Sequence, residues 1–262
     1  MNIKMLNQPN SYLIYGANSS IGAELARNVA GNVEHLVLFY HKKTDKIKDL
    51  FSYSNVHAVQ SDIRDFEDLS KKLKDVYTKW NITDLAAVYL PAIRSYDHKP
   101  LDETSLELSK NIIEVNFLGA VHFLKGIMGL RKLKSSTDTL SPSSIRFVLL
   151  GSNVSRIGLK NGAIYAASKA ALGNLSRSVA IEMGRRNILI NTVSPGPVET
   201  DDLNISEDYT LFRKEYFETH KALSSLNKVG SVFEICSLIL FLTSLENTHI
   251  TGEEIFITGG AL

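Results

Sequence analysis

Short apolar runs rich in β-branched and aromatic residues alternate with longer helical patterns along almost the whole chain, and few folds accommodate that rhythm. Residues 12–15, 35–40, 56–59, 85–90, 145–150, 188–193 and 254–258 read as strands. Between them, residues 21–30, 66–79, 105–133, 163–185 and 232–245 carry apolar side chains at helical spacing, with a shorter helix near 46–52. A strand that is followed by a helix and then another strand returns parallel, and right-handed crossovers distribute the helices over both faces. The expected fold is therefore α/β, a doubly wound Rossmann-type sheet of seven mostly parallel strands. Pro91 ends the fourth strand, and Pro195-Gly-Pro197 breaks the sixth. The Ser- and Thr-rich segment 134–144 reads as a loop, and a polar helix over 207–223 as an insert within 198–226. No internal repeat interrupts the pattern, so residues 1–262 are expected to form one domain.

Charge narrows the partners. Lys plus Arg is 29 and Asp plus Glu is 28, a net charge of +1, which gives no global attraction to nucleic acid or anionic lipid. Residues 1–10 lack an apolar stretch of signal length, and the apolar runs fall short of the ~20 residues that cross a bilayer. The one cysteine, Cys236, sits among apolar helix neighbours and reads as a small buried hydrophobe. A cytoplasmic protein with no membrane, nucleic-acid or metal partner is expected.

The first strand runs into Gly16-Ala-Asn-Ser-Ser-Ile-Gly22 and then a helix. Such a turn can bring backbone N–H groups and a helix N-terminus to a phosphate, or can be plain turn punctuation. The candidate contacts are Gly16, Asn18, Ser19, Ser20, Ile21 and Gly22. The second strand ends at Tyr40, followed by His41, Lys42 and Lys43, with no carboxylate for a ribose 2′-hydroxyl. These residues either meet a 2′-phosphate or form a solvated basic loop. Asp62, with Ile63, stands at the carboxyl edge of the third strand, where it can read adenine or cap the next turn.

At the other end, Ser152 follows the fifth strand, and Tyr165 and Lys169 lie four apart on the next helix, which puts them on one face. A phenol has a pKa near 10, and a close ammonium lowers it toward a useful acid/base range. Tyr165 can then exchange a proton with a carbonyl or alcohol oxygen to which Ser152 donates a hydrogen bond. The same pair on any exposed helix would mean nothing. Here the residues follow a strand's carboxyl end, where open sheets bind ligands.

With these residues in place, the chain resembles the short-chain dehydrogenase/reductase family over residues 12–260, and in particular its 3-oxoacyl carrier-protein reductases. Tyr165 and Lys169 match the family's YxxxK pair, Ser152 lies at its thirteen-residue spacing, and Asn116 matches its helix asparagine. Ser194-Pro-Gly-Pro-Val-Glu-Thr200 resembles the motif flanking the nicotinamide, which implies contacts from Pro195, Gly196, Val198 and Thr200. The resemblance implies a reductase or dehydrogenase that uses NADP(H) in preference to NAD(H) on a small carbonyl or alcohol. Tyr165 would be the acid/base, Lys169 would tune it and hold the ribose, and Asn116 would support a proton relay. It also implies a homodimer or homotetramer. Substrate choice is expected to depend on Asp201, Asp202, Leu203 and the helical insert around Tyr209, Phe212 and Tyr216, whose aromatics either pack against the body or form a lid.

Three departures stand out. Tyr15 replaces the family's threonine, Ser20 its middle glycine, and Tyr89-Leu-Pro-Ala92 its NNAG stretch. They motivate a rival reading, a non-catalytic NADP(H)-binding regulatory or assembly protein on the same fold.

Overall fold

The period-two pattern of the strands is realised as one twisted sheet with a different helix layer on each side. The structure is a computed structural model that describes residues 6–80, 82–93, 99–130, 144–200 and 207–261, with backbone alone at 207–209. The strands are β1 (Ser11–Tyr15), β2 (His35–Tyr40), β3 (Val56–Gln60), β4 (Asp84–Tyr89), β5 (Ser144–Leu150), β6 (Ile188–Pro195), β7 (Val198–Glu199), β8 (Gly230–Ser231) and β9 (Glu254–Ile257). Seven of them pair in the order β3-β2-β1-β4-β5-β6-β9, and every neighbouring pair is parallel. This is the doubly wound arrangement expected from the sequence. Its order reverses between β1 and β4, which opens a crevice at the carboxyl ends of the strands. β7 and β8 form a small parallel pair of their own.

Alternate residues of each strand feed two cores. On β1, Leu13 and Tyr15 face one cluster, and on β2 Val37 and Phe39 join it. Tyr12 and Ile14 face the other, together with Leu36 and Leu38. The helices are α1 (Ser20–Val29), α2 (Phe66–Lys79), α3 (Leu106–Ile113), α4 (Gly119–Leu130), α5 (Val154–Ile157), α6 (Ala163–Met183), α7 (Glu207–Leu223) and α8 (Val232–Thr243). Helices α2, α4 and α6 cover the first face, and α1 and α8 the second. Caps fix where they start: Ser19 on α1, Asp65 on α2, Ser105 on α3, and a Ser231–Glu234 capping box on α8.

Differences from the sequence reading are local. The helix expected near 46–52 is a 3₁₀ turn, Lys48–Ser52, and β6 continues to Pro195, which a strand end tolerates. The long helix from 105 is split by a π segment, Glu114–Leu118, between α3 and α4. Residues 131–133 of that helix and most of the 134–144 loop lie outside the described residues, as do Asp201, Asp202, Leu203 and the Tyr209 side chain.

Leu106–Leu130 as a whole is long and apolar enough, by length and composition alone, to cross a membrane. Its scattered charges hide this from a search for uninterrupted apolar runs. Phe123, Leu124 and Ile127 of this stretch are buried in the first core. Cys236 is buried as expected, and burial pushes its thiol up to about 12.

Candidate functional site

The turn after β1 depends on two glycines for different reasons. Gly16 has φ of +84°, a conformation that side chains disfavour. A Cβ on Gly22 would lie 2.5 Å from the Gly16 carbonyl oxygen, so α1 and the turn touch only because that position is bare. Ser19 locks the geometry: its hydroxyl donates to the Gly16 carbonyl at 2.9 Å and accepts the Gly22 N–H at 3.0 Å. Ser20, in place of the family's middle glycine, starts α1 as an ordinary helical residue. Its hydroxyl accepts a hydrogen bond from Lys46 Nζ at 2.7 Å.

A cavity of about 730 Å³ opens beside this turn, and Gly16, Asn18, Ser19, Tyr40, His41 and Lys42 line it, as do Asp62 and Ile63. Lys43, named with His41 and Lys42 from the sequence, lies on the same wall, and so do Arg64 and Asn111, which sequence reasoning missed. Arg64 binds Asp62 through Nη2 at 2.6 Å and Nε at 3.0 Å, and donates Nη1 to Asn111. The guanidinium holds the Asp62 carboxyl down at about 2. Asp62 also accepts the Arg64 N–H, so it caps the turn while lining the cavity. Ser20, Ile21 and Gly22 lie at the start of α1 and do not line this cavity.

The sequence departures at this end are filled by new braces. The Tyr15 hydroxyl donates to the Ser61 carbonyl at 2.9 Å while its ring stacks on Phe39 at 5.2 Å. The Tyr89 hydroxyl, where NNAG would begin, donates to the Val115 carbonyl in the π segment. Burial raises both phenol pKa values, so both stay neutral donors. A Cβ at Gly119 would collide with the Tyr89 hydroxyl. Nothing in the sequence near Tyr89 announces a partner 26 residues away.

Asn116 is completely buried in the π segment. Its Oδ1 accepts the Ile93 N–H at 2.6 Å, and its Nδ2 donates to the Ile93 carbonyl at 2.9 Å and to Ser168 Oγ at 3.0 Å. The amide is a clamp joining the segment after β4 to α6. π segments often mark functional positions, because one extra residue per turn re-aims side chains.

Ser152, Tyr165 and Lys169 do not line the first cavity; Ser152 follows the end of β5, and Lys169 reaches that strand's Leu150 carbonyl from beside the Tyr165 ring. Gly151 N–H donates to Val193 and Asn153 N–H to Pro195, which fixes Ser152 between β5 and β6. The Ser152 hydroxyl points toward Asn153 Oδ1 at 3.4 Å. Lys169 is 1% exposed, with Nζ donating to the Leu150 carbonyl at 2.6 Å and lying 5.8 Å from the Tyr165 ring centroid. Burial lowers its pKa to about 7. The fixed ammonium anticipated beside the phenol is thus a group near its titration midpoint at neutral pH.

The motif after β6 is held from α7. Arg213 Nη2 donates to Thr200 Oγ1 at 2.9 Å and to the Thr200 and Val198 carbonyls at 3.1 and 3.3 Å. Thr200 and Arg213 face a second cavity of about 680 Å³ with Glu24 and Phe233, not the first. His220 packs under Gly196, where a Cβ would meet its ring, and its Nε2 lies 3.1 Å from the Thr258 carbonyl. Phe212 and Tyr216 stack at 5.8 Å, and the Tyr216 hydroxyl donates to Asn153 Oδ1 at 3.3 Å, next to Ser152. Pro195 and Gly196 join the same edge through backbone bonds, Gly196 N–H to the Ile257 carbonyl.

Known proteins resemble this chain in sequence and fold. The family model described as Enoyl-(Acyl carrier protein) reductase matches residues 16–261. The 3-oxoacyl-(acyl-carrier-protein) reductase of Buchnera aphidicola subsp. Schizaphis graminum is 24% identical over 250 residues, covering 95% of each chain. Versicolorin reductase of Emericella nidulans is 27% identical over 263 residues, covering 95% of this chain and 94% of that protein. The solved structure of ElxO with NADP bound has a TM-score of 0.81 at 25% identity, over 97% of this chain and 98% of the other. A short-chain dehydrogenase/reductase from Serratia marcescens shares the fold, with a TM-score of 0.79 at 22% identity over 98% of both chains.

Proposed function

Because the chain belongs to the short-chain dehydrogenase/reductase family, we propose that it reduces a ketone with NADPH, or oxidises the matching secondary alcohol with NADP⁺. Lys169 carries this reading. An amine buried this deeply costs stability, and among the described residues it makes no ion pair that would offset the cost. Such a group is expected where chemistry requires it.

The cradle fits a dinucleotide. Gly16 and Gly22 permit a close backbone approach, and the start of α1 provides N–H donors for a pyrophosphate. His41, Lys42 and Lys43 line the cavity where an NAD enzyme would place a carboxylate. Asp62 and Ile63 would flank the adenine, and Pro195, Gly196, Val198 and Thr200 the nicotinamide end. When bound, NADPH would supply the hydride for the carbonyl carbon.

The chain's own residues handle the oxygen. Ser152 donates a hydrogen bond to it, and Tyr165 delivers the proton that converts the developing alkoxide into an alcohol. Lys169 would hold the ribose, and its ammonium would favour loss of the Tyr165 proton. Asn116 supports the relay by fixing the π segment against Ile93 and Ser168.

The carbonyl substrate is a 3-oxoacyl thioester or a polyketide-like ketone. Support comes from the activities named for the relatives and from Tyr216, which stacks on Phe212 and whose hydroxyl reaches Asn153 beside Ser152. The chain works as one domain in the cytoplasm and as a homodimer or homotetramer. The exposed apolar side chains Leu106, Leu118 and Ile181 on its long helices support self-association.

The test is titration with NADPH and NADH by fluorescence, followed by 340 nm assays on 3-oxoacyl thioesters and cyclic aromatic ketones. NADPH binding with turnover of any of these ketones supports the reading. Tight NADPH binding without turnover throughout would move the chain to the non-catalytic alternative. A Michaelis constant for NADH at or below that for NADPH would remove the cofactor preference.

A further inference from the structure

We infer that Glu254 is a positioning residue for the reduction: its carboxylate holds the turn that carries Ser152 against the face of α6 that carries Tyr165 and Lys169. The assignment rests on the reductase reading above. In the sequence Glu254 is only the first residue of the closing strand. In the structure it stands where α5, α6 and β6 meet.

Glu254 Oε1 accepts two hydroxyl hydrogen bonds, from Ser155 at 2.6 Å and from Ser194 at 2.7 Å. A carboxylate only accepts, so both hydroxyl protons must point at it. Bonds of this kind are short and roughly twice as strong as those between neutral groups. Each one fixes a different side of Ser152. Ser155 lies three residues on, in α5, and its N–H donates to the Ser152 carbonyl at 3.0 Å. Ser194 is completely buried against the preceding residue, and a Cβ on Gly151 would collide with its hydroxyl. The carboxylate therefore grips the Ser152 turn from both sides.

Its other oxygen rests on the helix of the acid/base pair. A Cβ on Gly173 would collide with Glu254 Oε2, so the carboxylate packs on bare backbone of α6. Tyr165, Lys169 and Gly173 follow one another at four-residue spacing, which puts them on one face of that helix. Helix α6 has 21 residues and α5 has four. The long helix is the fixed wall, and the short turn is the part whose place the carboxylate sets.

A merely structural role would not call for this residue. The strands of a parallel sheet covered on both faces carry apolar side chains, and one of those would pack β9 on α6 at no desolvation cost. Ser152 and Tyr165 must reach one substrate oxygen from two elements, and a misplacement on the order of 1 Å can cost about 10² in rate. Glu254 joins those two elements directly.

The experiment follows NADPH-dependent reduction of acetoacetyl-coenzyme A and of 1-tetralone at 340 nm. The proteins are wild type, Glu254→Ala, Glu254→Gln, Ser155→Ala and Ser152→Ala, with Glu254→Ala and Ser155→Ala each repeated in the Ser152→Ala background. Melting curves and NADPH titrations accompany each. Glu254→Ala should lower kcat by about tenfold with NADPH affinity within about twofold, and Glu254→Gln, which keeps an acceptor oxygen, should recover most of the loss. Ser155→Ala should lower kcat by about threefold. Because Glu254 acts through Ser152, its removal from Ser152→Ala should change the residual rate by less than about twofold. A tenfold fall in that background as well would mean that Glu254 acts elsewhere, and would overturn the inference. Wild-type kcat in a folded Glu254→Ala would reduce the contact to a structural tie and also overturn it. If Glu254→Ala does not fold, Ser155→Ala decides by the same two comparisons. Absence of turnover by wild type on either ketone, with NADPH bound, is a distinct result that removes the reductase reading and this inference with it.

Discussion

The two ends of the proposed site are under different constraints. At the chemistry end, Ser152, Tyr165, Lys169 and Asn116 all keep the identities the family pattern requires. At the cofactor end, Tyr15, Ser20 and Tyr89 depart from it, yet each finds a partner: Ser61, Lys46 and Val115. A proton-transfer group must have one pKa and one geometry, so few side chains can replace it. A brace only has to place a donor against a carbonyl, and several side chains can do that. Substitution is therefore expected to cost turnover at one end, and stability with nucleotide affinity at the other.

The contrast is sharpest in Lys169→Met. Turnover should fall by about 10² or more while the fold becomes more stable by something on the order of 2 kcal/mol near neutral pH. The sign follows from proton binding. The folded pKa of about 7 lies below the ordinary 10.5, so between those values the unfolded chain binds more protons. Stability from this group is complete above 10.5 and is lost as pH falls toward and through 7. Thermal melts of wild type and variant from pH 6 to 10 check this, with the gap between them narrowing as pH rises. A variant that melts lower than wild type at every pH would contradict it.

Gly22→Ala tests the cofactor end at its least forgiving point. The added methyl would sit 2.5 Å from the Gly16 carbonyl oxygen and 2.8 Å from Ala17 Cα, both backbone atoms. Denaturant titration should show a loss of about 1–3 kcal/mol, and NADPH affinity should fall with it.

Tyr89→Phe is gentler. It leaves the buried Val115 carbonyl without its side-chain donor at a cost of about 1–2 kcal/mol. The Michaelis constant for NADPH should rise a few-fold while the pH–rate profile keeps its shape. A shifted profile would mean that the brace reaches the proton-transfer groups, and the division between the two ends would blur.

The smallest effect is expected from Tyr216→Phe, which removes a long 3.3 Å bond to Asn153 beside Ser152. The ketone Michaelis constant should rise by roughly twofold with kcat nearly constant, since a contact of this kind is worth about 0.5 kcal/mol.

Much of the fold was legible because it is written in local periodicity. The alternation of Tyr12 and Ile14 with Leu13 and Tyr15 specifies a strand buried on both faces, and the order of strands and helices then leaves little topological freedom. That Tyr165 and Lys169 stand side by side was legible from their spacing on one helix. The π segment was not, because one inserted residue in a long apolar helix leaves its composition unchanged. β7 and β8, with two residues each, carry no pattern at all. Long-range bonds such as Arg213 to Thr200 or Tyr89 to Val115 depend on packing that no window of sequence contains. The depth of Lys169 was equally hidden: spacing placed it beside Tyr165, but only the packed sheet and helix show that burial pulls its pKa to about 7.

The most direct measurement compares ketone reduction by wild type and Tyr165→Phe at equal NADPH occupancy, with occupancy set by fluorescence titration of each protein. A loss of proton transfer predicts a fall in kcat of about 10²–10⁴ with NADPH affinity within a factor of two. Equal turnover in the two proteins would contradict the assignment of Tyr165 as the acid/base, and with it the chemistry end of the crevice.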